Sequence, residues 1–298
     1  MVTRLFDRVA PADLFALTKP RIALLVVLTV AAGFVLAMPL SGGAWTMSSW
    51  RLLLHTMFGA AMVAAGTNAL NQVLERDVDA LMRRTSRRPL PSGRLGVRDA
   101  TVFAWGLGVV GVGYLALFVN VTTACVAAAT LLTYVLLYTP LKRRTPVSTL
   151  IGVIPGALPI VGGWTGAGGE VASRVWLLFA MLCMWQLPHF LALSWMYRDD
   201  YARAGLRMLS VVEPDGRSTF RQAMLTSAAL IPVSLAPSVF GMAGGTYFVG
   251  AALLSGGLLG VSVAAALDQS IRRARRLFLA SLVYLPGVLT LMIVNRTS

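Results

Sequence analysis

Nine long apolar runs constrain the possible fold of this chain more than any other feature. We place them at 22–40, 52–74, 100–118, 122–139, 147–165, 174–195, 222–241, 245–267 and 277–294. A helix needs roughly 20 mostly apolar residues to cross the hydrocarbon core of a bilayer, so each run predicts one spanning helix. The fold class we expect is therefore an all-α integral membrane protein with nine transmembrane helices.

The composition excludes the main alternatives. The chain is 57% hydrophobic and 13% charged, whereas soluble domains carry about 25% charged residues. The nine runs leave room for short loops and not for a separate soluble domain, so we expect residues 1–298 to form one polytopic membrane domain. Cys125 and Cys183 both lie inside apolar runs. Two isolated thiols form neither a disulfide framework nor a zinc site, and we interpret both as packing residues.

Basic residues are concentrated on one side of the predicted helices. Of the 26 Lys and Arg residues, 23 fall in the loops of that side or before the first run, and only Arg51, Arg174 and Arg296 lie on the other. Cations confined to loops between apolar runs are typical of the positive-inside rule and not of nucleic-acid binding. We therefore expect no nucleic-acid partner, a plasma-membrane location, an external C-terminus and a cytoplasmic N-terminal segment (residues 1–21), amphipathic across 3–18.

Glycine and proline interrupt several apolar runs, as in GVIPGALPIVGGW and WQLPHF. In a membrane helix such breaks persist only where neighbouring protein or water satisfies the backbone. They indicate either an internal cavity or close packing of helices at small residues, and the sequence leaves both open.

An acidic face follows the second apolar run, in GTNALNQVLERDVDALMRRTSRRPLPSGRL. Asn71, Glu75 and Asp79 are spaced by four residues, so a helix presents them on one face. Asn68 joins that face, whereas Asp77 points elsewhere. Buried carboxylates are costly in a membrane and are tolerated where they face a wet cavity at the interface. Carboxylate and amide oxygens suit Mg²⁺, which completes its shell with water and substrate phosphate.

Four arginines follow this face at once, namely Arg83, Arg84, Arg87 and Arg88. Acids for a metal beside guanidinium groups for phosphate predict a diphosphate site. The alternative is a loop whose arginines only fix the topology and whose acids balance them.

A second acidic pair, Asp199 and Asp200, follows the sixth run in WQLPHFLALSWMYRDDYARAG. Four spans separate it from the first acidic face, so both emerge on the same side of the membrane and two metals around a diphosphate become feasible. Between them, YTPLKRRT places Tyr138 and Lys142 four residues apart at the same level. An ammonium there suits phosphate oxygens, although topology alone also explains the KRR triplet.

The segments NQVLERDVDALMRRTSRRPLPSGRL, YTPLKRRT, GALPIVGGW and WQLPHFLALSWMYRDDYARAGLRML resemble the UbiA superfamily of intramembrane prenyltransferases over nearly the whole chain. The resemblance implies nine helices around a central cavity that opens laterally to lipid, with the acidic motifs at its cytoplasmic end. The first superfamily motif, Asn-x-x-x-Asp-x-x-x-Asp, falls on Asn71, Glu75 and Asp79, and Glu75 departs from it while keeping a carboxylate. The second motif spaces two aspartates by four, whereas Asp199 and Asp200 are adjacent.

The branch most similar to this chain farnesylates heme, and His189 stands where relatives acting on phenolic acceptors often carry Asp. The resemblance therefore implies transfer of the farnesyl group of farnesyl diphosphate to the vinyl group of heme B, with addition of water and with one or two Mg²⁺ ions. The implied metal ligands are Asn71, Glu75, Asp79, Asp199 and Asp200. The implied diphosphate-binding residues are Arg21, Arg84, Arg88, Tyr138 and Lys142.

For the acceptor, His189 beside Trp185 is a candidate axial ligand of heme iron, or else a hydrogen-bonded core histidine. Membrane lipid and a downstream heme-modifying enzyme or respiratory oxidase are the further partners expected. Three other functions stay open: a sister prenyltransferase acting on a quinone precursor, chlorin or lipid alcohol; a secondary transporter, whose sites lie near the midplane; and a structural assembly factor.

Overall fold

The computed structural model describes residues 9–38 and 45–297. Within these residues nine helices are long and apolar enough to cross a membrane, which confirms the predicted fold class. The spans are α2 (Pro20–Ala37), α3 (Met47–Leu81), α4 (Val97–Phe118), α5 (Val121–Leu132) with a π-helical segment (Thr133–Tyr138) and α6 (Thr139–Leu141), α7 (Ser148–Gly166), α8 (Ser173–Met196), α11 (Arg217–Val239), α12 (Gly245–Leu267) and α13 (Ile271–Val294). Three short helices lie outside them: α1 (Pro11–Leu17), α9 (Arg198–Arg203) and α10 (Leu209–Val212).

The largest departure from the predicted boundaries is α3, which continues to Leu81 instead of ending at residue 74. Hydropathy marks only where a helix is apolar, and α3 remains helical while one of its faces becomes polar. Part of the predicted amphipathic segment at 3–18 and the end of the first predicted run lie outside the described residues. The described part of that segment contains α1, whose Leu17 is fully buried.

The spans form one bundle in which α3 packs on α4, α2 on α7, and α8 on α7, α11 and α13, while α2 also contacts α13. Large apolar side chains such as Leu28, Leu117 and Leu253 are exposed on the outside, as lipid-facing residues of a multi-pass membrane protein are. Cys183 is buried, as expected, but Cys125 is exposed, so only one of the two cysteines packs in the interior.

Glycine in the fifth span permits a close approach of α7 to α2. A Cβ atom at Gly163 would overlap the carbonyl oxygen of Val30, and one at Gly33 would overlap that of Ile160. At these positions the glycines therefore serve helix packing, one of the two alternatives that the sequence left open.

The polar loops meet at one end of the bundle, which we call the basic end. The backbone N–H of Arg207 donates to the carbonyl of Lys142 over 2.9 Å, and Trp195 Nε1 donates to the carbonyl of Gln269 over 3.0 Å. The basic end therefore gathers the loops after the second, fourth, sixth and eighth spans, as the charge pattern predicts. Which side of the membrane it faces stays a prediction.

Candidate active site

The last turns of α3 carry the first acidic motif on a buried face. Asn71 and Asp79 are each 1% exposed, and Glu75 is 8% exposed. Asn68 lies on the same face and donates to the carbonyl of Thr18 over 3.1 Å. Asp77 is exposed and pairs with its neighbour Arg76. The spacing by four thus places all three motif side chains in the interior, whereas Asp77, between Glu75 and Asp79 in sequence, points outward.

Each of the three motif side chains is bound by a cation from another part of the chain. The pairs are Lys19 Nζ with Asn71 Oδ1 (2.9 Å), Lys142 Nζ with Glu75 Oε1 (2.8 Å) and an Arg88 guanidinium nitrogen with Asp79 Oδ2 (2.6 Å). Three oxygen-bearing groups and three cations therefore form one compact polar cluster at the basic end. Such a cluster can bind an anion through its cations and a divalent ion through its oxygens.

Lys19 is a site residue that the sequence analysis missed. It precedes α2 with φ 49°, the one non-glycine residue of the described chain with positive φ, and such backbone is uncommon outside glycine. Burial is the main cause that lowers the pKa of Lys19 to about 7, and the nearby Arg88 guanidinium acts in the same direction. Lys19 and Lys142 are the only lysines of the chain. This rarity could have marked Lys19 as a candidate site residue from the sequence. Arg21, which was expected to bind diphosphate, is exposed, and its role in binding stays a prediction.

Lys142 is held between a carboxylate and an aromatic ring. Its ammonium lies 4.4 Å from the centre of the Tyr138 ring, and Tyr134 packs on that ring at 5.0 Å. Burial alone would lower the pKa of Lys142, but the Glu75 carboxylate raises it well above its usual value, so the side chain stays charged. The π-helical segment carries both tyrosines, and Thr139 after it accepts a hydrogen bond from Asn71 Nδ2 over 3.3 Å.

Only one carboxylate of the second acidic pair, that of Asp200, lies in the interior at the basic end. Asp200 is buried, pairs with Arg203, and its Oδ1 accepts a hydrogen bond from the backbone N–H of Arg83 over 3.3 Å. The Asp199 side chain is 83% exposed and lies beside Arg198. Successive residues of a helix point about 100° apart, so adjacent aspartates at the start of α9 cannot both face the cluster. This corrects the expectation that Asp199 is a metal ligand.

Two aromatic residues connect the second acidic segment with the arginine loop. The exposed Arg84 guanidinium lies 4.9 Å above the ring of Tyr197. Burial raises the pKa of the Tyr201 phenol, and the Arg84 guanidinium acts in the opposite direction. Tyr201 also packs against an apolar cluster that contains Val78 and Met82 of the first acidic segment.

His189 and Trp185 lie on α8, about two and three helical turns before its last residue, Met196. His189 Nδ1 is hydrogen-bonded to Ser281 Oγ over 2.8 Å, and Trp185 Nε1 donates to the carbonyl of Ser281 over 2.7 Å. The rings of Trp185 and Phe278 stack on the imidazole at 5.3 Å and 4.7 Å. The imidazole is thus oriented through one nitrogen, while Nε2 has no hydrogen-bond partner among the described residues.

This fold and motif arrangement match known proteins. The family model of the UbiA prenyltransferase family matches residues 25–284. The chain belongs to this family. A relative named "Protoheme IX farnesyltransferase", from Solibacter usitatus (strain Ellin6076), is 46% identical over 288 residues, covering 95% of this chain and 98% of the relative.

Solved structures support the UbiA fold. One, described as "Structural and mechanistic insights into the biosynthesis of Digeranylgeranylglyceryl phosphate synthase in membranes", gives a TM-score of 0.78 at 17% identity and covers 95% of this chain and 97% of that chain. A UbiA homolog from Archaeoglobus fulgidus bound to GPP and Mg²⁺ gives a TM-score of 0.65 at 16% identity, covering 94% and 99%.

The donor set of this UbiA chain fits a divalent ion that arrives with a diphosphate. No group of three His, Cys, Asp or Glu in the described chain lies close enough to hold a metal by itself. Mg²⁺, however, needs only one or two protein carboxylates when phosphate and water complete its shell. Glu75, Asp79 and the Asn71 oxygen share one buried face, and the cations that now bind them are suited to phosphate oxygens.

Proposed function

We propose that this chain transfers the farnesyl group of farnesyl diphosphate to a vinyl group of heme B, with addition of water, giving heme O and diphosphate. The observation that carries this proposal is the 46% identity, over nearly the full length of both chains, to a relative named "Protoheme IX farnesyltransferase". The polar cluster supports it, because its acids and cations are the groups that a prenyl diphosphate requires.

The diphosphate binds at the basic end. Lys19, Lys142 and Arg88 present cations on one side, and Arg84 adds a guanidinium from the loop. The negative diphosphate favours the charged form of Lys19, whose pKa burial has lowered. Asn71, Glu75 and Asp79, with Asp200, would hold Mg²⁺, which when bound offsets negative charge on the departing diphosphate.

The protein's cations are fixed in place before the reaction begins. Because Lys142 is held by Glu75 and the Tyr138 ring, it does not reorganise as the bond between the farnesyl C1 and the diphosphate oxygen breaks. Preorganised charge aimed at a leaving group is commonly the largest catalytic contribution. The farnesyl C1 then bonds to the terminal vinyl carbon of heme B. Water adds at the other vinyl carbon and loses a proton, which leaves a hydroxyl group.

Heme B binds deeper, beside α8 and α13. His189 presents an Nε2 without a hydrogen-bond partner in the described structure and is oriented by Ser281, while Trp185 and Phe278 supply flat apolar surfaces. His189 would bind the heme iron through Nε2.

The setting of the reaction follows from the charge pattern. Residues 1–298 act as one membrane domain of the plasma membrane, with the basic end cytoplasmic under the positive-inside rule. Product heme O passes to a downstream heme-modifying enzyme or a respiratory oxidase.

The deciding experiment is turnover of the purified full-length protein in lipid nanodiscs with farnesyl diphosphate and heme B, with and without Mg²⁺. Heme O, identified by mass spectrometry, is expected only with all three, and the Glu75→Gln variant is expected to form none. Diphosphate release without heme O, together with prenylation of a quinone precursor, would instead assign the chain to a sister activity of the same family.

A further inference from the structure

The lysine that binds Asn71 lies on a turn of unusual backbone geometry. Lys19 connects α1 to α2 with φ 49°, in the left-handed region that residues other than glycine seldom adopt, because Cβ then crowds a carbonyl oxygen. Since Pro20 follows, an extended backbone would be the usual conformation. A strained conformation persists only where surrounding contacts hold it, so the neighbours of Lys19 must supply such contacts.

Helix α1 ends in an incomplete C-terminal motif. The backbone N–H of Lys19 donates to the carbonyl of Ala16 over 3.3 Å, as it does when a left-handed residue closes a helix. The second bond of that motif comes from the N–H of the following residue, which here is Pro20 and has none. The carbonyls of Leu17 and Thr18 receive no backbone hydrogen bond within the described chain. The turn is therefore not held by its own backbone alone.

Two amides of α3 bind these carbonyls. Gln72 Nε2 donates to the carbonyl of Leu17 over 2.6 Å, and Asn68 Nδ2 donates to that of Thr18 over 3.1 Å. Both side chains are buried, and their spacing by four residues places them on one helix face. Because buried hydrogen bonds are costly to leave unmade, these two fix the peptide groups that precede Lys19.

One turn of α3 thus holds the backbone of Lys19 and also receives its side chain. Gln72 directly follows Asn71, whose Oδ1 accepts a hydrogen bond from Lys19 Nζ over 2.9 Å. Leu17, whose carbonyl Gln72 binds, is fully buried in an apolar cluster with side chains of α3 and of the arginine loop. Apolar packing presses α1 onto α3 without direction, whereas the amide bonds determine how the chain turns before α2.

We propose that Gln72, assisted by Asn68, is a positioning residue of the active site: its amide holds the Leu17 carbonyl so that Lys19 keeps its left-handed backbone and directs its ammonium into the polar cluster. Gln72 acts through Lys19, because its amide donates to a backbone carbonyl. The inference rests on the proposed function in requiring that Lys19 binds the diphosphate of a prenyl substrate, and it requires nothing of heme.

The test is the affinity for farnesyl diphosphate, measured calorimetrically with Mg²⁺ and without heme on the full-length protein in lipid nanodiscs. Gln72→Met keeps a side chain of similar length but removes the donor, and it is expected to weaken binding about threefold to tenfold, as the loss of one hydrogen bond would. In the Lys19→Gly background the same change is expected to weaken binding less than about twofold, because two residues that act as a unit are not additive. A Gln72 side chain that only stabilised the fold would weaken both proteins equally.

Two control variants separate positioning from stability. Asp13→Asn breaks the ion pair of Asp13 with Arg94 (3.1 Å) and so loosens α1 at the end far from Lys19. Asn120→Ala removes an amide that donates to the carbonyl of Thr165 over 2.9 Å, at the end of the bundle opposite the basic end. It therefore matches the loss of a bond from a side chain to the backbone. Both variants are expected to keep the wild-type affinity for farnesyl diphosphate.

Wild-type affinity in folded Gln72→Met protein, or an equal loss with and without Lys19, overturns the inference. If Gln72→Met does not fold, Asn68→Leu removes the longer of the two bonds, and its effect in the same two backgrounds decides. Wild-type affinity in Lys19→Gly protein overturns both this inference and the place of Lys19 in the proposed site. A loss that depends on Lys19 upholds the inference even if no heme O is formed, an outcome that overturns only the proposed acceptor.

Discussion

The backbone N–H of Arg83 donates a hydrogen bond to Asp200 Oδ1 over 3.3 Å, across 117 residues of sequence. This contact joins the loop after the second span to the helix that follows the sixth. It brings one aspartate of the second acidic pair to the arginine loop that follows the first acidic motif, while Asp199 faces solvent.

The adjacent aspartates allow a matched test of this arrangement. Asp200→Ala removes a buried carboxylate beside the arginine loop and is expected to lower kcat about 100-fold, the usual effect of losing one preorganised charge-stabilising group. Asp199→Ala is a surface change and is expected to alter kcat less than about threefold. Steady-state rates of farnesyl diphosphate consumption compare the two, and equal losses would contradict the assignment.

Variants of the Glu75–Lys142 ion pair distinguish its contribution to stability from its contribution to catalysis. Lys142→Met leaves the buried Glu75 carboxylate without a counter-ion and is expected to lower the free energy of unfolding by about 3–5 kcal/mol. The double variant Glu75→Gln/Lys142→Met removes both charges, so it is expected to regain most of this stability while staying inactive. Thermal unfolding in detergent measures the stability. A double variant as unstable as Lys142→Met would show that the unpaired Glu75 carboxylate is not the cause of the lower stability.

Lys19 offers a variant that should weaken binding without harming the fold. Lys19→Gly leaves the buried Asn71 oxygen without its donor but supplies the residue that adopts positive φ most readily. Because these effects oppose each other, the unfolding temperature is expected to change little. The Michaelis constant for farnesyl diphosphate is expected to rise about tenfold or more, since a charge-assisted hydrogen bond contributes about 1.5–3 kcal/mol. Arg21→Ala, two residues away and exposed, is the control. A larger effect at Arg21 would contradict the site described above.

The two histidines test the heme ligand. If His189 binds heme iron, His189→Ala is expected to weaken heme B binding and to shift its Soret absorption. His55 is hydrogen-bonded to Tyr114 over 2.6 Å and stacks on Phe118 near the opposite end of the bundle, so His55→Ala should leave the spectrum unchanged. Identical spectra for wild-type protein and His189→Ala would show that His189 is a hydrogen-bonded core residue and not a heme ligand.

Because α2 packs closely on α7, we expect alanine substitutions at two glycines to differ in their effect on stability. Gly163→Ala would drive a methyl group into the backbone of α2 and is expected to destabilise the fold by about 1–3 kcal/mol. Gly113 on α4 has open space around it. Gly113→Ala is therefore expected to be neutral or to stabilise by up to about 1 kcal/mol, because alanine favours helix. Unfolding temperatures measured in the same detergent compare them.

The nine spans and the inward face of α3 could be predicted from the sequence because both depend on local patterns. A bilayer requires one long apolar run for each crossing, and helix periodicity alone places Asn71, Glu75 and Asp79 on one face. The grouping of the loops into one basic end followed from counting spans. The family could be recognised for the same reason, since its motifs are short segments with fixed spacing.

The partners of these side chains could not be predicted, because they are set by how distant helices pack. Lys19 reaches Asn71 across 52 residues, and Lys142 reaches Glu75 across 67; no local rule pairs them in this way or prefers Lys19 to Arg21. Likewise, the turn before α9 decides which of two adjacent aspartates faces inward. Sequence by itself determined the spans and the polar face, since these follow from solvent and periodicity, whereas only the tertiary structure decided which charges meet and which aspartate reaches the arginine loop, because both depend on contacts between distant segments.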